Sequence, residues 1–340
     1  MKIRFTPHWL EFKYPFTLSV GSRTRTPIVI TEIEHENCIG FGEASMPPYL
    51  GETHESVISF LQKASPLIEK NSDDFNIEKI MQEIDALAKN NTAAKASIDI
   101  ALHDLLGKIK KQSCHEMLDI NVEKMPLTFF TLGMDEPKVL EQKIKEAEDW
   151  KILKIKLGSA NDKQRIEFIR SITDKPIAID VNQGWKDKIF VHEMLCWLHE
   201  KNILFVEQAM PKEMKDEMKW LKEKSPIILF GDESIQRLSD VNEAAQMFHG
   251  INIKLMKCTG MSEALKIIVR ARELNLKIMI GCMSETSCAN AAAAQLAPLT
   301  DWADLDGPAL IKNDFFEGFE IKNGKILLNN LPGIGVLLKK

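Results

Sequence analysis

Asp180, Glu207 and Asp232 each close a short apolar run, and lysines in the same register bracket them: Lys154 and Lys156 in K-I-L-K-I-K-L-G, Lys254 and Lys257 in I-N-I-K-L-M-K. Lys156, Asp180, Glu207, Asp232 and Lys254 follow one another at intervals of 24, 27, 25 and 22 residues. A strand, a helix and two loops need about that much chain, so each residue is expected to end a successive parallel strand. Active sites gather at the carboxyl ends of strands in (β/α)₈ barrels. Three hard oxygen donors between amines point to a divalent cation and to proton transfer at carbon.

A single Asp after a strand is usually a helix cap or a turn former. Three carboxylates on consecutive strand ends would repel one another and suffer desolvation unless a cation joined them. A magnesium-type ion fits such a set, because it takes oxygen ligands and keeps positions open for water or substrate. Among the lysines, Lys154 and Lys156 share a parity, opposite to that of Leu153, Ile155 and Leu157, so they are expected to face the barrel interior. Two close ammonium groups lower each other's pKa, which would leave one usable as a base. Lys254, inside an apolar run, is a second inward lysine, and burying an unpaired ammonium is costly. Lys257 either joins this set or lies in the following loop as a solvated residue. Lys156 and Lys254, on strands two and six, would face each other across the barrel.

The elements that must hold these residues are readable around them. From residue 126 onward, eight apolar runs (127–133, 152–157, 176–181, 203–207, 227–232, 250–255, 277–281 and 302–306) alternate with helical patterns. That rhythm predicts a closed parallel barrel over residues 126–308. Residues 1–125 differ: antiparallel strands at 2–16, 26–35 and 38–44, then helices at 53–69, 77–89 and 92–109, the last ending at Gly107. Polar loops are expected at S-V-G-S-R-T-R-T and at M-P-P-Y-L-G-E. The tail, 309–340, carries a hairpin with an N-G turn and is expected to complete the first domain.

Composition narrows the class. Of 340 residues, 44% are hydrophobic and 27% charged, with a net charge of −5, so no nucleic-acid partner is implied. No apolar stretch approaches the roughly 18 residues that cross a bilayer. The first residues lead straight into a strand without a secretory segment, and the six cysteines form no C-x-x-C pair. A cytoplasmic protein with buried free thiols is expected.

K-I-K, D-V-N-Q-G-W, V-E-Q, D-E-S and N-I-K-L-M-K, in this order and spacing, resemble the muconate-lactonizing-enzyme subgroup of the enolase superfamily. G-F-G-E-A near residue 40, A-K-A-S-I-D-I-A-L-H-D, G-C-M-S-E-T near 281 and P-G-I-G-V near the end extend the resemblance over nearly the whole chain. It implies an α/β fold, a (β/α)₇β modified TIM barrel under an α+β N-terminal capping domain. It also implies Asp180, Glu207 and Asp232 as Mg²⁺ ligands, Lys156 and Lys254 as an acid–base pair, and Lys154 as their electrostatic partner. In such enzymes a base removes the proton α to a carboxylate and Mg²⁺ stabilises the resulting enediolate. Two features depart from the family pattern: Ala209 in V-E-Q-A, where proline is frequent, and Thr259 in K-C-T-G, where a second glycine is common. Thr259 puts the shape of the sixth loop in question.

Opposed lysines suit epimerisation, but cycloisomerisation or dehydration would use the same core. A-D-L-D-G-P decides between them: Asp304 and Asp306 share a parity at the end of the eighth strand and resemble the D-x-D with which dipeptide epimerases hold an α-ammonium group. The resemblance implies that Arg23 and Arg25 lie where this family's first specificity loop closes over the substrate, and an arginine there could pair with a second substrate carboxylate. Tyr49 or Leu50 from the second loop, and Met283 in G-C-M-S-E-T, are expected to line the pocket. The expectation is an epimerase acting on a dipeptide such as L-Ala-D/L-Glu, with no membrane or nucleic-acid partner, and the resemblance suggests a homo-oligomer. Alternatives are other hydrophobic or cationic dipeptides, an o-succinylbenzoate synthase or N-acylamino acid racemase, which the Asp pair disfavours, and a non-catalytic binding protein.

Overall fold

The eight apolar runs form one parallel sheet in the computed structural model, which describes residues 1–18, 21–72 and 75–339. Its strands are β4 (Phe130–Leu132), β5 (Leu153–Lys156), β6 (Ile177–Asp180), β7 (Ile203–Glu207), β8 (Ile228–Gly231), β9 (Gly250–Lys254), β10 (Lys277–Gly281) and β11 (Trp302–Asp304). Before these come β1 (Lys2–Leu18), β2 (Gly21–His35) and β3 (Cys38–Ser45). Strand order follows chain order from β4 to β11. Thr128 then bridges Ala303, and the Phe129 amide donates to the Ala303 carbonyl at 3.3 Å, which closes the barrel. These runs are nearly continuous in Val, Ile, Leu and Phe because a parallel barrel strand is buried on both faces. Inward residues Phe129, Phe205, Phe230 and Met279 fill the floor, with Phe205 and Phe230 4.6 Å apart between ring centroids.

Helices such as Pro137–Glu146, Asp162–Arg170 and Met261–Glu273 join successive strands. After β11 comes only a four-residue helical turn, Gly307–Leu310, so the outer ring lacks an eighth helix. The tail forms the hairpin Glu320–Lys322/Lys325–Leu327, whose Asn323 and Gly324 have positive φ of 55° and 75°. That turn packs on the first barrel strand, where Thr128 N donates to Gly324 O at 2.8 Å, while the start of the tail lies along β1, with Lys312 N donating to Glu11 O at 2.8 Å. The last residues also reach the N-terminal unit, through the Ile334 amide, which donates to Asp104 at 3.0 Å.

The N-terminal unit is an antiparallel sheet in the order β1-β2-β3 covered by α1 (His54–Lys70), α2 (Ile77–Asp85) and α3 (Thr92–Lys110). Two local expectations change. The segment S-V-G-S-R-T-R-T is not a loop throughout: β2 begins at Gly21 and carries Arg23 and Arg25, because the β1 partner extends far enough to pair with it; residues 19 and 20 lie outside the described part. Gly107 does not end α3, which runs three residues further to a left-handed cap at Lys111, φ 56°. The glycine is needed for packing, since a Cβ there would lie 2.5 Å from the Cα of Gly333.

Candidate active site

Lys156, Asp180 and Glu207 are paired across β5, β6 and β7 at one level of the barrel, as are Lys254, Gly281 and Asp304 across β9, β10 and β11. The three carboxylates Asp180, Glu207 and Asp232 are fully buried, and each offers an oxygen within 4.8 Å of the others. Strands β5 and β9 stand four apart in an eight-stranded ring, so Lys156 and Lys254 approach this cluster from opposite sides. Lys156 Nζ donates to Asp180 Oδ2 at 2.6 Å, and Lys254 Nζ donates to Asp232 Oδ2 at 2.7 Å. Between them Lys154 Nζ lies 2.6 Å from Glu207 Oε2, 2.6 Å from Asp304 Oδ2 and 3.3 Å from Asp180 Oδ2.

Charge decides what each group can do. Burial alone would raise the Asp180 pKa, but Lys156 and Lys154 hold it below the usual carboxylate range. Burial also works against Asp232, and Lys254 and Lys257 outweigh it. Glu207 is pushed up to about 7 by burial and by its neighbour Asp180. Lys154 at 2.6 Å does not offset these two effects at Glu207, and three convergent buried oxygens suit a hard dication. Lys154 behaves otherwise than two mutually repelling lysines would: burial lowers its pKa, but Asp304, Glu207 and Asp180 raise it further, so it stays an ammonium.

Lys257 belongs to the cluster. It is buried, not solvated, and its Nζ donates to Asp232 Oδ1 at 2.5 Å, Asp232 O at 2.6 Å and Asn252 O at 2.9 Å. The turn after β9 folds it back beneath the cluster. Three acceptors saturate an ammonium, so Lys257 fixes Asp232 and has no donor left for anything else. Asn252, two residues before Lys254 and of the same inward parity, donates to Glu207 Oε1 at 2.7 Å; that parity is the signal by which it could have been found.

At the eighth strand end the two aspartates diverge. Asp304 turns one oxygen to Lys154, while its buried Oδ1 finds no partner among the described residues. Asp306 Oδ2 accepts from the Thr131 amide at 2.7 Å, and burial with the nearby Asp304 charge raises its pKa to about 7. Of these two adjacent buried carboxylates, Asp304 is paired with Lys154 through one oxygen only, and Asp306 has no cationic partner among the described residues.

The capping unit covers the mouth. Tyr49 Oη donates to Met283 Sδ at 3.1 Å and lies close enough to Lys254 to interact with its charge. Arg23 is half-buried, 5.8 Å above the Phe12 ring, and its buried Nη1 has no partner among the described residues. Arg25 is exposed and stacks 4.3 Å above the Trp9 ring.

A buried acid pair not singled out in the sequence seats the cap on the barrel. Glu43 of β3 accepts from the Thr286 amide at 3.0 Å and shares a hydrogen bond with the Thr286 hydroxyl. Burial, then the charge of Glu285, push its pKa up to about 8. Between the unfolded value of about 4.3 and 8 the folded chain holds a proton the unfolded chain has released. Stability therefore falls as pH rises through that window, by at most about 1.4 kcal/mol per unit. Glu43→Gln should flatten this slope in urea unfolding followed from pH 5.5 to 8.5; a slope as steep as that of the unaltered protein would contradict the assignment.

An eight-stranded parallel barrel with carboxylates at three successive strand ends, under an antiparallel capping unit, is an enolase-type architecture. Residues 2–119 match the mandelate racemase/muconate lactonizing enzyme N-terminal domain and residues 139–340 the enolase C-terminal domain-like family, and the chain belongs to that superfamily. It is 53% identical to the L-Ala-D/L-Glu epimerase of Bacteroides thetaiotaomicron, over 99% of this chain and 88% of that one. It is 34% identical to an L-Ala-D/L-amino acid epimerase of Pedosphaera parvula, over 98% and 97% of the two chains. Its fold matches the dipeptide epimerase of Cytophaga hutchinsonii complexed with Mg and D-Ala-L-Val, with a TM-score of 0.92, 26% identity and coverage of 100% and 97%.

Proposed function

We propose that this protein is a Mg²⁺-dependent epimerase that inverts the α-carbon of the C-terminal residue of a dipeptide, with L-Ala-D/L-Glu as its substrate pair. The observation that carries this reading is the placement of Lys156 and Lys254 on opposite sides of one carboxylate cluster. Asp180, Glu207 and Asp232 would hold the ion. Bound there, Mg²⁺ supplies electrophilic stabilisation of the negative charge that builds on the substrate carboxylate.

The chain's own groups do the rest. One lysine, uncharged, takes the α-proton from one face, and the electron pair left on carbon spreads into the carboxylate. The opposed lysine, charged, gives a proton to the other face; the reverse direction exchanges their roles. Lys154 remains charged and steadies the carboxylate instead of acting as a base. Asp304, with its free oxygen, and Asp306 would receive the substrate ammonium group, which supplies Asp306 with a cationic partner. Met283 and Tyr49 close the mouth above them. We place the enzyme in the cytoplasm, where its six free cysteines stay reduced.

Glutamate specificity rests on Arg23, whose buried and unpaired Nη1 suits the side-chain carboxylate. Arg23→Met should lower kcat/KM for L-Ala-L-Glu by about 10–100-fold, since hydrogen bonds to charged groups contribute about 1.5–3 kcal/mol. L-Ala-L-Gln should be affected far less. Equal losses on both dipeptides in a circular-dichroism assay would remove Arg23 from the pocket.

A further inference from the structure

The turn that carries Lys254 is gripped from outside by the capping unit. Within it, the Lys254 carbonyl accepts from the Lys257 and Cys258 amides at 2.9 and 3.2 Å, and Leu255 O accepts from Gly260 N at 3.0 Å. The shape of the turn thus sets the backbone of Lys254 itself. Thr259 closes it at φ +63°, a left-handed conformation that is a true outlier for a β-branched residue. Such a conformation persists only where its surroundings over-determine it.

Those surroundings are specific. Thr259 Oγ1 donates to Glu263 Oε2 at 3.3 Å, and Glu263 also accepts from the Leu238 amide at 2.8 Å. Arg237, five residues beyond Asp232, holds Glu263 with two donors, Nε to Oε1 at 2.8 Å and Nη2 to Oε2 at 2.7 Å. The same Nη2 reaches Asp85 Oδ2 of α2 at 3.0 Å. Asp85 in turn accepts at 2.8 Å from Lys95 of α3, a fully buried lysine. Beside this chain, Asp99 of α3 accepts from Ser262 N at 3.1 Å and fills the space where a Cβ on Gly260 would sit.

We infer that Arg237 is a positioning residue for Lys254, bridging Asp85 of the capping unit to Glu263 so that the turn after β9 keeps its left-handed form. The inference rests on the two-base reading of Lys156 and Lys254 proposed above. Its consequence is one-sided. Lys156 stands on β5, across the barrel, and touches none of these groups. Loosening the bridge should impair the lysine on one face and spare the one on the other, whereas a merely structural contact would affect both equally.

The test is the initial rate of α-proton exchange into D₂O, measured separately from L-Ala-L-Glu and L-Ala-D-Glu by proton NMR in the presence of Mg²⁺. Lys254→Ala and Lys156→Ala first identify which epimer each lysine serves. In Arg237→Gln, exchange from the epimer served by Lys254 should fall about tenfold relative to the other, since misplacement by a fraction of an ångström costs that much. Arg237→Lys, which keeps the charge but not the paired donors, should give a smaller change in the same direction. Thr259→Gly in the Arg237→Gln background should bring the ratio back to within about twofold, because glycine adopts positive φ without strain. An unchanged ratio in Arg237→Gln and Arg237→Lys, whatever their melting temperatures, would overturn the inference while leaving the two-base reading intact. If the two lysine variants show no opposite preference, the two-base reading fails and the inference falls with it.

Discussion

Alanine in place of Lys254 is expected to cut epimerisation of L-Ala-L-Glu by about 10³-fold or more, within the range a positioned general acid–base group contributes. Lys156→Ala should do the same. Neither change should unfold the protein, because each removes only one of two lysines on its carboxylate. Asp232 keeps Lys257 at 2.5 Å, and Asp180 keeps Lys154 at 3.3 Å. The loss should therefore appear in kcat with little change in melting temperature. Each variant should still exchange the α-proton of the epimer facing its surviving lysine, since a single base suffices for exchange without inversion. Near-normal turnover by either variant would show that the two-base assignment is wrong.

Removal of divalent metal should have an effect of similar size. Without a cation, Asp180, Glu207 and Asp232 are balanced only by lysines, and Glu207 sits near neutrality at about 7. EDTA treatment should reduce activity to background, and Mg²⁺ should restore it. The same ion should stabilise the fold, by roughly 2.7 kcal/mol at a free concentration a hundred times its Kd. Thermal unfolding with and without Mg²⁺ reads this independently of turnover. Glu207→Gln should shrink the stabilisation as well as the activity. Full activity after exhaustive chelation, or no shift in melting temperature with Mg²⁺, would remove the ion from the site.

The parts of the fold that could be read from sequence share one physical cause. A barrel strand buried on both faces must be apolar throughout, so a lysine or carboxylate in it or at its end stands out; that is why Lys154, Lys156, Asp180, Glu207, Asp232 and Lys254 are legible in the sequence. Features that depend on distant partners were not. Lys257 reads as a cluster or a loop residue until the turn folds it under Asp232. Gly107 looks like a helix stop until Gly333, far along the chain, takes the space beside it. Arg23 sits in what reads as a polar loop, and only the extended pairing with β1 makes it a strand residue. Glu43 and Glu285 lie in different parts of the chain, and nothing local signals that one would be buried beside the other. The bridge from Lys95 through Asp85 and Arg237 to Glu263 crosses between the capping unit and the barrel, so it has no local signature either.

The most direct test of the central claim is proton NMR of L-Ala-L-Glu in D₂O with the protein and Mg²⁺. The expected result is loss of the glutamate α-proton signal with growth of the L-Ala-D-Glu diastereomer, while the alanine α-proton persists. A glutamate α-proton that survives prolonged incubation with the Mg²⁺-loaded protein would contradict the assignment of glutamate as the epimerised residue.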